Sequence, residues 1–275
     1  KNDIVSKISS YRDPFDSVSW QMIQKIPRQA SVTATLSFLA ELSQRKSVYS
    51  FLSVLQGIQG LSWKPLQELP DMSYALLDLE DPWIWFWMDY EPQNVRSRMH
   101  NFFFNQDWIV KDAFGDIILL EKGKGEKLVE PIRAPVGELL GKSVVIDDGF
   151  QLLNVYMGSD RLGRRGALPL TFEWKSVKDL HEDYQMILLL QKEGRNIYAH
   201  SRRIGYSILP TSLWPKDTYL KDRYWFPLPP LGRGEYNLIM TFYNRHTGKQ
   251  ADVSLWGSRG VQEGNILQIG MVKVP

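Results

Sequence analysis

The sequence predicts a small α/β domain followed by an all-β domain. Over residues 1–123, short apolar runs of strand length alternate with stretches of helical period. Over residues 143–275 helical period all but vanishes, and about nine short strand patterns recur between Gly, Asp and Pro turn signals. Charge divides the chain in the same place. Residues 1–123 hold 12 Lys/Arg against 15 Asp/Glu, net −3, whereas residues 124–275 hold 21 against 16, net +5. The expected architecture is a three-layer Rossmann-like α/β domain over 1–123 with a largely parallel sheet. A linker over 124–142 leads to an antiparallel β-sandwich over 143–275, of jelly-roll or immunoglobulin-like type.

In the first domain, Val18, Met22 and either Trp20 or Ile23 recur at helical spacing, with Asp16 as the expected N-cap and Pro27 as the stop. Gln29–Ala34 reads as a short buried strand, Leu36–Leu42 as a helix and Ser47–Phe51 as a second strand. Residues 56–71 read as a connection, and Tyr74–Asp78 as a third strand ending in its aspartate. Asn94 is the expected cap of a helix reaching Phe104. Trp108–Asp112 and Asp116–Glu121 pair as a hairpin through Phe114-Gly115. Residues 124–142 are polar and rich in turn formers, the mark of a linker.

In the second domain the expected strands are Ser143–Ile146, Phe150–Tyr156, Ala167–Trp174, Tyr184–Leu190, Asn196–Arg203, Tyr219–Phe226, Glu235–Tyr243, Ala251–Trp256 and Ile266–Val272. Pro210–Pro215 reads as a further extended piece of the densest β stretch, Tyr184–Tyr243.

Bulk composition excludes several classes. There is no cysteine among the 275 residues, so disulfides, thiolate metal sites and Cys nucleophiles are out. A net charge of +2 gives no reason to expect nucleic acid. The apolar cluster Trp83–Met88 is far shorter than the roughly 20 residues a bilayer span needs. The chain starts at Lys1, without a methionine or signal-peptide pattern, and reads as a piece of something longer.

Three clusters carry chemistry. Asp78, Glu80 and Asp81 follow a strand whose carboxyl end is the usual ligand crevice of α/β folds, and their oxygens suit Mg²⁺ or Mn²⁺. The plainer reading is a solvated loop leading to Pro82. Trp83, Trp85 and Trp87 alternate; if extended they share one face, as a sugar platform, a membrane-interface patch or interface packing. His200, Arg202, Tyr206, Trp214, Asp222 and Arg223 gather around one inter-strand loop region, and aromatic faces with planar hydrogen-bonding groups suit carbohydrate. There the plainer reading is that Tyr206 and Trp214 plug one end of the sandwich and that the charged side chains are solvated.

Other motifs fail. Gly137–Ser143 has three residues where a phosphate loop needs four between its glycines, and it precedes a strand. Gly123-Lys-Gly125 lacks the rest of a dinucleotide fingerprint, and the four scattered histidines suggest no metal centre. No cofactor is expected. Arg161, Arg164 and Arg165 read as a solvated basic turn, with anionic lipid as the alternative.

Ile26-Pro27, Ala30–Ala34, Leu39–Phe51, Tyr74–Leu79 and Gly115–Gly123 together resemble the soluble segment after the last membrane helix in a family of multi-spanning bacterial proteins. Those proteins are similar to membrane-embedded glycosyltransferases of the GT-C type. The chain departs from the pattern at Glu41, where the relatives carry a histidine, so no role of that histidine carries over. Glu182–Tyr184, Gly205-Tyr206, Pro210-Thr211, Trp214-Pro215, Asp222, Tyr224, Pro229-Pro230, Gly234–Tyr236, Phe242-Tyr243 and Thr247-Gly248 are similar to a terminal β-sandwich module of such proteins. The resemblance implies an extracytoplasmic region tethered to the bacterial membrane through a membrane-spanning part of the same protein, with no catalytic residues of its own. The expected function is a non-catalytic accessory region that binds a glycan or a partner. The alternatives are a metal-dependent transferase or hydrolase using Asp78, Glu80 and Asp81, and a purely structural interaction module.

Overall fold

The computed structural model describes residues 17–60, 64–66, 68–134, 143–158, 166–256 and 265–274. The expected cap Asp16, the motif at 137–142 and the basic turn Arg161, Arg164 and Arg165 lie outside these residues. The fold is mixed α/β and mostly β, with three sheets. It divides into two compact units, one ending at Glu126 and the other beginning at Lys127.

The first unit is built on a five-stranded sheet. After helix α1 (17–24) come β1 (Val32–Ala34), α2 (Leu36–Leu42), β2 (Val48–Ser50), α3 (Phe51–Gln56) and β3 (Tyr74–Asp78). Then follow α4 (Pro82–Tyr90), α5 (Pro92–Phe104), β4 (Trp108–Phe114) and β5 (Ile117–Lys122). The strand order is β2-β1-β3-β5-β4. β1 runs parallel to both β2 and β3, but β5 is antiparallel to β3 and to β4. The sheet is therefore mixed rather than largely parallel. The tight Gly115-Asp116 turn reverses the chain, so β5 meets β3 head to tail.

Side-chain caps open two of the helices, α3 and α4. The Ser50 hydroxyl accepts from the Ser53 N–H and opens α3, a helix the sequence reading missed between a strand and a connection. At its other end Arg98 Nη1 donates to the carbonyls of Leu55 (3.0 Å) and Gln56 (2.7 Å), answering two acceptors that the helix leaves open. Gly57 makes this possible. Its φ is +69°, and a Cβ there would sit 2.5 Å from Arg98 Cζ. α5 begins at Pro92 rather than at an Asn94 cap, because proline at a first helical position loses no hydrogen bond. Phe51, Phe102, Phe103 and Trp108 fill the core in edge and stacked contacts, with ring centroids 5.0–6.4 Å apart.

The second unit holds two antiparallel sheets. Its strands are β6 (Val129–Ile132), β7 (Ser143–Ile146), β8 (Phe150–Met157), β9 (Ala167–Ser176), β10 (Tyr184–Lys192), β11 (Arg195–Arg203), β12 (Tyr219–Pro227), β13 (Gly234–Asn244), β14 (Val253–Trp256) and β15 (Leu267–Val274). One sheet is ordered β14-β7-β8-β9-β12-β6 and the other β11-β10-β13-β15. β6 corrects the expected linker over 124–142. It adds to β12 as an edge strand, where Pro131 costs no ladder bond on the open side. Pro210–Pro215 is likewise not extended. It holds a 3-10 turn, Thr211–Leu213, whose Thr211 hydroxyl accepts from the Tyr184 N–H and donates to the Glu182 carbonyl.

Alternate residues of β10 and β12 are buried: Tyr184, Met186, Leu188 and Leu190 on β10, and Leu220, Asp222, Tyr224 and Phe226 on β12. Phe150 of β8 touches Trp174, Tyr184, Trp214 and Phe242, so aromatic contacts bridge the two sheets. Truncating a ring of this kind costs about 3–5 kcal/mol, against about 0–1 kcal/mol for an exposed ion pair. The exposed Lys273–Glu235 pair is therefore minor beside this aromatic core.

Gly57→Ala is expected to destabilise the first unit by about 2 kcal/mol, from left-handed backbone strain plus displacement of Arg98. Gly60→Ala, left-handed at φ +52° with nothing within 4 Å, should cost only about 1 kcal/mol. Urea unfolding of both variants measures the difference; equal losses would mean that the Arg98 contact contributes nothing.

Candidate functional site

The acidic cluster forms where β1 and β3 end side by side. The Thr35 hydroxyl accepts from the Asp78 N–H at 3.0 Å and ties the two strand ends together. Asp78 Oδ1 accepts from the Glu80 N–H at 3.0 Å. Asp81 caps α4, its carboxylate accepting from the Trp83 N–H at 2.9 Å. Glu80 is exposed, whereas Asp81 and Asp116 are buried. Burial pushes the Asp78 carboxyl from 3.8 up to about 6. The Glu80 N–H pulls it back, and the charges of Asp116 and Asp81 add to the rise. The cluster thus holds a carboxyl that is neutral below about pH 6. Among the described residues no group of three or more His, Asp or Glu comes together to hold a metal.

Asp81 also decides the fate of the tryptophans. Capped by Asp81 and started by Pro82, residues 82–90 are helical, so Trp83, Trp85 and Trp87 do not share a face. Ile84 and Met88 turn inward. The outward stripe is instead Trp83, Phe86, Trp87 and Tyr90, at the i, i+3, i+4, i+7 spacing of one helix face. Trp83 and Phe86 are each 52% exposed and Tyr90 is 67% exposed. The four rings pack on one another, with centroids 5.4–6.0 Å apart, as a continuous aromatic surface. Phe86 and Tyr90 were missed because the sequence reading took period 2; a helical wheel starting at the Asp81-Pro82 cap finds them.

The third cluster is brought together, but inside the second unit. Arg202 at the end of β11 and Asp222 on β12 have no exposed side-chain surface. Arg202 Nη2 donates to both carboxylate oxygens, at 2.8 and 2.9 Å, and the Gly205 N–H donates to Asp222 Oδ2 at 3.1 Å. The guanidinium lies between the rings of Tyr206 and Tyr224, 4.2 and 4.4 Å from their centroids. Burial alone would lower the Arg202 pKa, but the adjacent Asp222 charge outweighs it and holds Arg202 above its ordinary value. Trp214 is 1% exposed and donates through Nε1 to the Leu209 carbonyl at 2.9 Å. Arg202, Tyr206, Trp214 and Asp222 are therefore core residues: Tyr206 and Trp214 are buried as the plainer reading of the loop has it, but Arg202 and Asp222 are buried as a pair rather than solvated.

The rest of that set is built in as well. His200 is half-buried, stacked on Tyr224 with ring centroids 5.9 Å apart. Arg223 donates to the Lys127 carbonyl and pairs with Glu130, fastening β6 to β12. A second buried acid, Glu173, accepts from Asn154 Nδ2 at 2.7 Å, with Lys221 Nζ 3.4 Å away.

No family model matches the chain, and no curated protein is similar to it in sequence. Among solved structures it is similar to chicken MD-1 complexed with lipid IVa, at 10% identity and a TM-score of 0.26 over 42% of this chain and 96% of that one. It is also similar to Bacteroides uniformis β-glucuronidase 2 covalently bound to cyclophellitol-6-carboxylate aziridine, at 14% identity and a TM-score of 0.25 over 51% of this chain and 15% of that one.

A pH dependence follows from Asp78. Its folded-state pKa lies above its ordinary value, so the folded state holds a proton that the unfolded state has released. Stability from this group is full below 3.8 and is lost as pH rises to about 6. Asp78→Asn keeps an acceptor for the Glu80 N–H and has no charge to bury. Its melting temperature should exceed that of the wild type at pH 7, with the gap closing as pH falls toward 4. Parallel melting profiles from pH 4 to 8 would contradict the assignment.

Proposed function

We propose that the chain is a non-catalytic, extracytoplasmic accessory region of a glycosyltransferase-like membrane protein, held against the bilayer by the outward face of α4. The observation that carries this reading is the self-packed stripe of Trp83, Phe86, Trp87 and Tyr90. Trp and Tyr favour the interfacial zone, where their rings are shielded and their polar tips stay wet. A bare apolar surface of this kind is costly in water unless something covers it. In this reading the first unit is a Rossmann-like layered domain and the second a β-sandwich of jelly-roll or immunoglobulin-like type. The aromatic contacts bridging the two antiparallel sheets support the latter.

The charges near the stripe choose the kind of membrane. Glu80 and Glu91 flank it in sequence, Asp89 lies within α4, and α4 carries no Lys or Arg. The face therefore suits a zwitterionic surface rather than an anionic one. No helix among the described residues is long and apolar enough to cross a membrane, so attachment in this reading is by surface contact, beside any membrane-spanning part of the same protein.

Flotation with phosphatidylcholine vesicles tests the reading. The chain is expected to float with them, and added phosphatidylglycerol should not raise the bound fraction. Replacing Trp83, Phe86, Trp87 and Tyr90 together with Ala should weaken partitioning more than tenfold, at least ~1.4 kcal/mol. A wild-type chain that stays in solution, or a variant that floats equally well, would overturn it.

A further inference from the structure

We infer that the open edge of β11 is a docking site for an extended, acidic segment of a partner protein, which pairs with it as an added strand of the smaller sheet. β11 ends the order β11-β10-β13-β15, with β10 on one side and no strand on the other among the described residues. It is nine residues long, and its Ile197, Ala199 and Ser201 are exposed. An edge of this kind offers a row of backbone N–H and C=O groups that another strand can answer. The edges β6 and β14 have four residues each, and β6 carries Pro131.

The two sheets end out of step beside it. Arg202 pairs with Asp222, His200 stacks on Tyr224 at 5.9 Å and Tyr198 lies against Phe226 at 5.6 Å between ring centroids. These contacts set β11 against β12. On the other side of β11 its neighbour β10 reaches toward β8, where Tyr184 meets Phe150. Beyond β12 the larger sheet continues to β6, while the smaller sheet stops at β11. A strand paired with β11 would therefore lie across from β6. Tyr198 and His200 are only half-buried, so apolar side chains on the added strand would cover the rest of their rings.

Charge selects the occupant. β11 holds Arg195, His200, Arg202 and Arg203, and no Asp or Glu. Asp222 answers Arg202 inside the unit, whereas Arg195 and Arg203 stand at the two ends of the strand. A second copy of β11, paired antiparallel along its whole length, would set Arg195 opposite Arg203 at both ends. Like charges directly opposite are unfavourable, so the edge disfavours pairing with itself. Acidic residues at the two ends of a foreign strand meet the same arginines with opposite charge. Of the acids nearby, Glu193 lies in the turn before the strand and Glu130 on β6 is paired with Arg223 at 3.5 Å. Between the arginines, Ile197 is 49% exposed and suits a β-branched neighbour.

The site is independent of the α4 face and is tested separately, by fluorescence anisotropy on the whole chain. The probe is a labelled peptide as long as β11, of alternating Val and Thr with Glu at both ends. It is expected to bind, and hydrogen exchange should show added protection at the β11 amides. The same peptide ending in Lys should bind severalfold more weakly. Methylating alternate peptide amides should abolish binding in one phase and leave it intact in the other, because only one edge of the added strand is paired. Arg195→Glu combined with Arg203→Glu should reverse the preference toward the Lys peptide, with circular dichroism confirming the fold. If that variant fails to fold, Arg195→Glu alone, at an exposed position beside the hairpin turn, should narrow the preference. Absence of binding by the Glu peptide, equal binding of the Lys peptide, methylation effects without phase or protection outside β11 would overturn the inference. So would a dimer whose β11 amides are already protected without peptide, which would make a second copy the occupant.

Discussion

The second unit depends on one buried ion pair. Arg202 belongs to an edge strand of one sheet and Asp222 to the other sheet, and neither side chain reaches solvent. A lone buried charge costs several kcal/mol, so each residue is tolerable only while the other faces it. That condition fixes how β11 lies over β12. The chain kinks at Gly205 and Tyr206, where both residues have positive φ, and the kink delivers the Gly205 N–H to Asp222 and the Tyr206 ring to Arg202. The aromatic cluster around Phe150 supplies the bulk of the apolar burial. The ion pair adds little to that total. Its effect is to make one alignment of the two sheets much better than its neighbours.

This arrangement changes what the region around 200–225 can do. Its Trp, Tyr, Arg and Asp side chains have the makeup of a carbohydrate site, yet they are buried inside the unit, with Arg202 paired to Asp222 and Trp214 donating to the Leu209 carbonyl. The first unit carries the exposed α4 stripe, a cavity beside β2 and the raised carboxyl at the end of β3. Each is produced by local chain chemistry. The Asp81 cap sets the rotation of α4, Ser50 and Gly57 bound the helix beside the cavity, and Thr35 joins the strand ends that hold Asp78.

Much of this was legible in the sequence. Strand period 2 is strong in runs such as Tyr184–Leu190 and Tyr219–Phe226, and both form strands. The helix Leu36–Leu42 and the strand Tyr74–Asp78 also lie where apolar spacing places them. Long-range pairing was not legible. β6 becomes a strand because β12 offers it an edge, which four residues containing a proline do not advertise. The antiparallel docking of β5 on β3 depends on a partner far along the chain. The fate of Asp222 was readable in principle: it stands in phase with Leu220, Tyr224 and Phe226, and a charge in an apolar phase implies a buried partner. Residue types alone pointed to a ligand; the phase of the strand points to the core.

The claim that the 200–225 region closes the core rather than binding a ligand rests on Arg202 and Asp222 acting as a pair. A double-mutant cycle in urea unfolding, read by near-ultraviolet circular dichroism, measures this directly. Arg202→Met and Asp222→Leu should each lose about 3–5 kcal/mol, and the double variant should regain most of it, because the apolar pair leaves no charge stranded. Losses that simply add in the double variant, as they do for independent sites, would contradict the account.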